Sequence, residues 1–235
     1  MGCETGTGNT GLYRPNDTSG PRGIEFMTGM EGELSEEKDE RIAAFKETHK
    51  DFFNCYDGWK NEEQGLNAES SYFLAVKALE EHSIPSIDED TLNCFLKSIY
   101  EETLAKGIFI SAMINTLYEN ERISIYPEGQ EISYIGMNND RKEIFVWGWL
   151  HDFAGMNMKS GSMEIMQGIS GTNIGEGMEG GKISIGDADG KKVNTDTQLS
   201  LDIKGGEIYY NGRHVWPKTT FGESAKKWGS ILLSH

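Results

Sequence analysis

GMNMKSGSMEI (155–165) and GEGMEGGKISI (175–185) lie twenty residues apart, and reading them together decides the fold. Gly155 recurs as Gly175, Met158 as Met178 and Gly161 as Gly181, while Met163 and Ile165 recur as Ile183 and Ile185. Further out, Gly148 recurs as Gly168. DIKGGEIYYNG (202–212) repeats the paired glycines and the alternating strand residues, displaced by an insertion around 187–200. EISYIGMNNDRKEIFVWG (131–148) reads as an earlier, degenerate copy. A fixed period of this size implies stacked units, none able to bury its own apolar face alone. Twenty extended residues trace roughly 60–65 Å of path, one circuit of a flattened coil, and stacked circuits pair as parallel strands about 4.8 Å apart. Met163, Ile183 and Ile208 are then expected to form an interior ladder, with Ile165, Ile185 and Tyr210 beside it. Gly148, Gly155, Gly161, Gly168, Gly175, Gly177, Gly180, Gly181 and Gly206 belong at corners, where positive φ or close backbone approach excludes a Cβ. The predicted fold is mixed α and β: an N-terminal all-helical segment, then a short parallel β-helix with rungs of ~20 residues.

GEGMEGG (175–181) also fits G-x-G-x-x-G, the dinucleotide fingerprint. That chemistry needs a helix opening at the last glycine, so that its N-terminus faces the pyrophosphate. The next residues are instead KISIGDADG, a strand and then a turn. The copy twenty residues earlier has Asn157 and Ser160 where the fingerprint wants glycine, and GTGNTG (6–11) fits the pattern with no strand before it. Architecture explains these glycines better than phosphate binding does, and no cofactor is expected.

Upstream the periodicity is helical. Ile42, Phe45, His49, Phe52 and Tyr56 make one stripe between a Ser35 cap and a Gly58 stop, and Tyr72, Phe73, Val76 and Leu79 make another after Asn67. A third helix starts at Asp88, carries Leu92, Phe95, Leu96, Ile99 and Leu104, and stops at Gly107. GIFISAMINTLY (107–118) mixes β-branched residues with helical spacing and is read as helix. From Ile123 the period becomes two, in ISIY (123–126), EISYI (131–135), EIFVW (143–147), SMEIM (162–166), KISI (182–185) and EIYY (207–210). Residues 1–30, rich in Gly, Thr, Asn and Pro, read as a disordered tail or non-native extension. The expected organisation is thus an acidic helical domain at 31–120, the β-helix at 121–212 and a C-terminal cap at 213–235. Exposed rung edges invite unwanted pairing, so the helical segment is expected to cover the first rung and ESAKKWGSILL (223–233), read as helical, the last.

GTNIGEGMEGGKISI (171–185) resembles the repeat of the GXGXG-motif domain, which closes the large subunit of glutamate synthase and forms the C subunit of formylmethanofuran dehydrogenase. The likeness covers roughly residues 130–212. It implies a right-handed β-helix that supports other domains or subunits and holds no catalytic residue of its own. This chain has few rungs, and its helical segment matches none of those enzymes' catalytic domains, so their activities are not implied.

The net charge of -16 argues against nucleic acid, which needs a concentrated basic surface. The charge is uneven, with -11 over residues 31–106 and -4 over 107–235. Cys3, Cys55 and Cys94 form no CxxC, so neither a disulfide framework nor a zinc site is expected, and a reducing cytoplasm fits. Cys55 and Cys94 read as buried thiols. No apolar run approaches bilayer length. DADG (187–190) opens like a calcium loop but lacks the bidentate Glu. His49, His82, His214 and His235 have no metal-ligand spacing. Adjacent His151 and Asp152, with Ser162 and Ser170 nearby in sequence, lack a G-x-S-x-G context. No catalytic, cofactor or metal residue is therefore assigned. The sequence points to a non-catalytic scaffold or interaction module whose partner is another protein or subunit, with neither nucleic acid nor membrane involved. One alternative is a small enzyme with its site at the helical/β-helix junction, around His151, Asp152 and Trp149. Another is an accessory subunit of a glutamate-synthase-like or formylmethanofuran-dehydrogenase-like oxidoreductase.

Overall fold

The computed structural model describes residues 36–54, 67–99, 103–186 and 197–217. Two compact units separate, Met1–Lys38 and Asp39–His235. Of the first only 36–38 are described, and they are helical. The helices and strands from residue 39 onward belong to the second. The expected tail at 1–30, the helix end at Tyr56 and Gly58, the DADG turn, Cys3, Cys55, His235 and the helix in 223–233 lie outside the described residues.

Helix α1, over 36–54, turns Phe45, Thr48, His49 and Phe52 inward. Helix α2 (Ala68–Glu81) starts at Asn67, whose side-chain oxygen accepts the Ser70 N–H at 2.8 Å. Its buried side is Ser71, Tyr72, Ala75 and Leu79. Phe73, expected in that stripe, is 71% exposed: neighbours on a helix sit about 100° apart, and Tyr72 takes the inward direction. In α3 (Glu89–Ser98) the Asp88 carboxylate accepts the Thr91 N–H at 2.7 Å, Leu92, Phe95 and Leu96 are buried, and Ile99 ends the helix in extended backbone. Cys94, expected buried, is half-buried.

Gly107 does not stop a helix. It lies inside α4 (Thr103–Thr116), to which Leu104 also belongs. Residues Ala105 through Ile114 are all buried, so α4 is a central element with no solvated face. Glycine costs a helix about 1 kcal/mol relative to alanine. Here close approach outweighs that cost, because a Cβ at position 107 would overlap the Ser133 carbonyl oxygen.

The remaining chain winds into a parallel β-helix. Strands β1 (Arg122–Ile125), β2 (Glu143–Val146), β4 (Ser162–Ile165), β6 (Lys182–Ile185), β7 (Glu207–Tyr210) and β8 (Arg213–Trp216) form one sheet in the order β1-β2-β4-β6-β7-β8, and β3 (Trp149–Leu150) pairs β5 (Gly168–Ile169) on a second. All pairings are parallel except β7 with β8. Ile123, Ile144, Met163, Ile183 and Ile208 lie in register, as do Ile125, Val146, Ile165, Ile185 and Tyr210. Except for half-buried Tyr210 these side chains are buried, filling the interior of the coil.

The period is not constant. Glu143 pairs with Ser162, Ser162 with Lys182, and Lys182 with Glu207. One circuit is thus a residue shorter than the next, and the last carries the insertion. Gly148 consequently does not align with Gly168, whose partner is Trp149. EISYI (131–135) is no strand. Only a bridge from Ile132 to Leu150 forms, because Tyr134 and Gly136 adopt positive φ of 61° and 78° and bend the chain into a corner. That corner recurs at Phe153 and Gly155, then at Asn173 and Gly175.

The paired glycines make the following turn. Gly161, Gly181 and Gly206 have φ of 78°, 83° and 84°. A Cβ on Gly181 would stand 2.6 Å from the Met158 methyl, and one on Gly206 would meet the Met178 methyl. The buried methionine of one circuit therefore fills the space that glycine leaves on the next. Gly168 and Gly177 also have positive φ; Gly148 and Gly180 do not.

Helices and rungs share one hydrophobic core, so the shift in composition near residue 120 is a change of secondary structure within it. The first rung is closed by helix side chains. Ser124 N–H donates to the Glu89 carboxylate (2.8 Å), its carbonyl accepts from the Asn93 amide (2.8 Å), and Tyr126 N–H donates to the Asn93 side-chain oxygen (2.9 Å). Further round, Ser111 Oγ donates to the Tyr134 carbonyl (2.7 Å) and Asn115 Nδ2 to that of Met137 (2.9 Å). Each pair is spaced i, i+4 and so projects from one face of its helix.

Candidate functional site

Three places gather polar side chains. The first is the corner after β3. His151 Nδ1 lies 3.1 Å from one Asp152 oxygen, and His151 Nε2 lies 4.0 Å from Glu131. The other Asp152 oxygen accepts the backbone N–H of Thr172 (2.6 Å) and lies 3.2 Å from its hydroxyl. Ser170 donates its N–H to the Leu150 carbonyl, and Ser162 sits in β4. Among the described residues no hydroxyl or thiol bonds the imidazole. A histidine with two carboxylate partners and no nucleophile has the parts of an orienting pair and lacks the group to be oriented. What Asp152 does here is tie one circuit to the next.

The second is internal. His49 is buried among Phe52, Phe53, Phe95 and Phe109, its centroid 5.2 Å from that of Phe109, and its Nε2 has no hydrogen-bond partner among the described residues. Burial, with the Lys106 charge as a smaller contribution, holds its pKa down at about 4. Lys106 is itself buried, donating to the Ile99 carbonyl and the Gln130 side chain, and burial lowers its pKa to about 8. An aromatic cage that keeps an imidazole neutral is a packing device with a pH signature. Below its ordinary pKa of 6.5 the unfolded chain takes up a proton that the folded chain refuses until about pH 4. Stability is therefore whole above pH 6.5 and falls as pH drops through that window, by roughly 3 kcal/mol at pH 4. Urea titrations from pH 7 to 4 should show this loss in the native protein and a flatter curve in His49→Phe. Parallel curves would refute the assignment.

The third is a groove of about 330 Å³ where α2, the end of α4 and the corner at 138–142 meet. Tyr72, Phe73, Asn115, Asp140, Arg141 and Lys159 line it. Tyr72 hydroxyl accepts from Asn115 Nδ2 at 2.9 Å, and burial pushes its pKa above the usual range. Lys142 reinforces the corner from inside, its Nζ donating to the Tyr118 and Asn120 carbonyls. Arg141 and Lys159 are exposed, as is Phe73. The groove thus offers cations and an aromatic ring on a chain of charge -16. Sequence reasoning misses it, because its residues come from four separated stretches. The one local signal is the cationic pair in NNDRK (138–142), inside a corner where the other copies have few charges.

On the outer sheet face Tyr126 and Trp147, 40% and 46% exposed, lie with rings parallel and centroids 6.4 Å apart. Among the described residues no three His, Cys, Asp or Glu side chains converge as metal ligands, and no helix is long and apolar enough to cross a membrane. No protein-family model, curated protein or solved structure matches the chain.

Proposed function

We propose that this chain is a non-catalytic interaction module, a β-helix with a helical cap that presents the 138–142 groove to an acidic segment of a partner protein. The observation that carries the reading is the groove's composition: an exposed Phe73 beside Arg141 and Lys159, on a surface otherwise dominated by carboxylates. Local charge of opposite sign to the molecule steers an acidic partner to one place, and an exposed aromatic ring supplies contact area once water is excluded. The repeat's resemblance to the GXGXG domain, whose part is to support other subunits, favours the same reading. An accessory subunit of a glutamate-synthase-like or formylmethanofuran-dehydrogenase-like oxidoreductase is one form such a module takes. The structural use of Asp152 weighs against an enzyme working through His151.

The test compares two baits in the native cell: the full chain, and the same chain carrying Phe73→Ser, Arg141→Glu and Lys159→Glu. All three side chains are exposed, so melting should be unchanged. A companion held in stoichiometric amount by the first bait and lost from the second supports the groove. Recovery of the chain alone, or of the same companions by both, overturns it.

A further inference from the structure

The groove at the cap contains a hydrogen-bond donor that the fold does not use. Tyr72 is 8% exposed, and its hydroxyl oxygen accepts from Asn115 Nδ2 at 2.9 Å. Among the described residues nothing accepts the proton of that hydroxyl. Buried polar groups as a rule find a partner, so a free O–H at a groove is a place for an acceptor. Asn115, to which the hydroxyl is bonded, and Asp140, whose charge it feels, line the same groove, which sets the polar end of the ring there. Burial, partly offset by the Asn115 bond and aided by the Asp140 charge, raises the Tyr72 pKa, so the group stays a donor at neutral pH. The Thr116 hydroxyl on the same wall is already taken, by the Ala112 carbonyl at 2.7 Å. The cations are free as well. Lys159 has no ion pair among the described residues, and the carboxylate nearest Arg141 Nε is that of Asp140, 3.9 Å away between two exposed side chains.

We propose that the group this groove receives is a single side-chain carboxylate, held by the Tyr72 hydroxyl and Lys159, with an apolar neighbour of that acid packed on Phe73. The proposal rests on the reading of the groove as the docking place of an acidic segment, and names the chemical group recognised there. A carboxylate carries one charge on two acceptor oxygens. One oxygen takes the O–H and the other the ammonium, and both bonds are charge-assisted. A phosphate monoester carries close to two charges at neutral pH. Asp140 on the groove wall opposes that second charge at short range, and the molecular excess of -16 opposes it at longer range. Phe73, 71% exposed, adds flat apolar contact beside the charge, so the site reads an acid together with its neighbour.

Two end-blocked synthetic peptides test it, titrated into the full isotope-labelled chain and followed by NMR, which also reports whether each variant is folded. One peptide has a glutamate next to a leucine among neutral residues; the other has phosphoserine in place of the glutamate. The native chain should bind the glutamate peptide with a Kd of about 1 mM or tighter, and the phosphoserine peptide at least about threefold more weakly. Tyr72→Phe keeps the ring and leaves Asn115 its bond to the Met137 carbonyl, yet should weaken the glutamate peptide about tenfold. Lys159→Gln, at an exposed site, should weaken it by a similar factor. Asp140→Asn should narrow the gap between the two peptides. No saturable binding by the native chain, tighter binding of phosphoserine, or a Tyr72→Phe chain that binds as tightly as the native one overturns the proposal. Loss of the glutamate peptide from the triple variant, with full retention by Tyr72→Phe, would discard the hydroxyl and leave the docking groove standing.

Discussion

Gly107→Ala should leave the chain largely unfolded under conditions where the native protein is fully folded. Alanine is the better helix former, and at an exposed site the change would stabilise α4 by about 1 kcal/mol. At position 107 the new methyl falls on the Ser133 carbonyl oxygen, with the Ile132 side chain 3.1 Å away. Both elements are constrained, α4 by burial along ten consecutive residues and Ser133 by the corner that Tyr134 and Gly136 force. Separating them would open the seam on which cap and coil meet. The loss should be at least about 4 kcal/mol, a large share of the roughly 5–15 kcal/mol that holds an ordinary domain together. Gly129→Ala is the control: nothing lies within 4 Å of its added methyl, so only left-handed strain of about 1 kcal/mol is expected. Thermal melts of the two variants side by side decide the matter. Equal losses would mean that the close approach is unimportant.

The second large effect belongs to the rung edge. Glu89→Ala with Asn93→Ala removes the three hydrogen bonds to the edge, together with the one from the Asn93 amide to the Glu89 carbonyl, and leaves the backbone of Ser124 and Tyr126 unpaired at a partly buried edge. An unsatisfied buried polar group costs about 1–3 kcal/mol, so roughly 3–9 kcal/mol is expected for the three groups left bare. The bare edge of β1 becomes a template for another chain. Chemical denaturation should therefore report a large loss, and light scattering should report association beyond any that the native protein shows. A variant that lost the stability and stayed dispersed would show that the helix holds the edge in place without shielding it.

The coil is legible in the sequence and its closure is not. Met163, Ile165, Ile183 and Ile185 announce a ladder because a rung repeats its neighbours' problem and solves it with the same residue types. Register needs more than types. Gly148 and Gly168 match by eye, yet one residue fewer in the earlier circuit sets Gly168 against Trp149; Gly136-Met137-Asn138 opposite Gly155-Met156-Asn157 is the truer echo. Gly107 misleads for a related reason. Glycine signals a helix end and a close approach with the same letter, and only the position of Ser133 distinguishes them. Phe73 reads as core because helical spacing admits several stripes, and the packing of α2 chooses Tyr72. Glu89, Asn93, Ser111 and Asn115 look like ordinary polar helix positions. Their partners lie 22 to 35 residues further on, which no local pattern encodes. The groove escapes for the same reason, assembled from stretches that meet only when the cap sits on the coil.

The bonds that close the first rung reach residues between 124 and 137, and the one from the Asn157 amide to Glu69 reaches the circuit after it. Among the described residues these side-chain bonds from the cap reach no circuit later than the second. Copying 162–181 once more would lengthen the rod by about 4.8 Å and repeat contacts already present between β4 and β6, with the seam above untouched. Length in this molecule is a variable that duplication or loss of one segment can reset without redesigning either end. What such a change would move is the distance between the groove at the capped end and the last circuit.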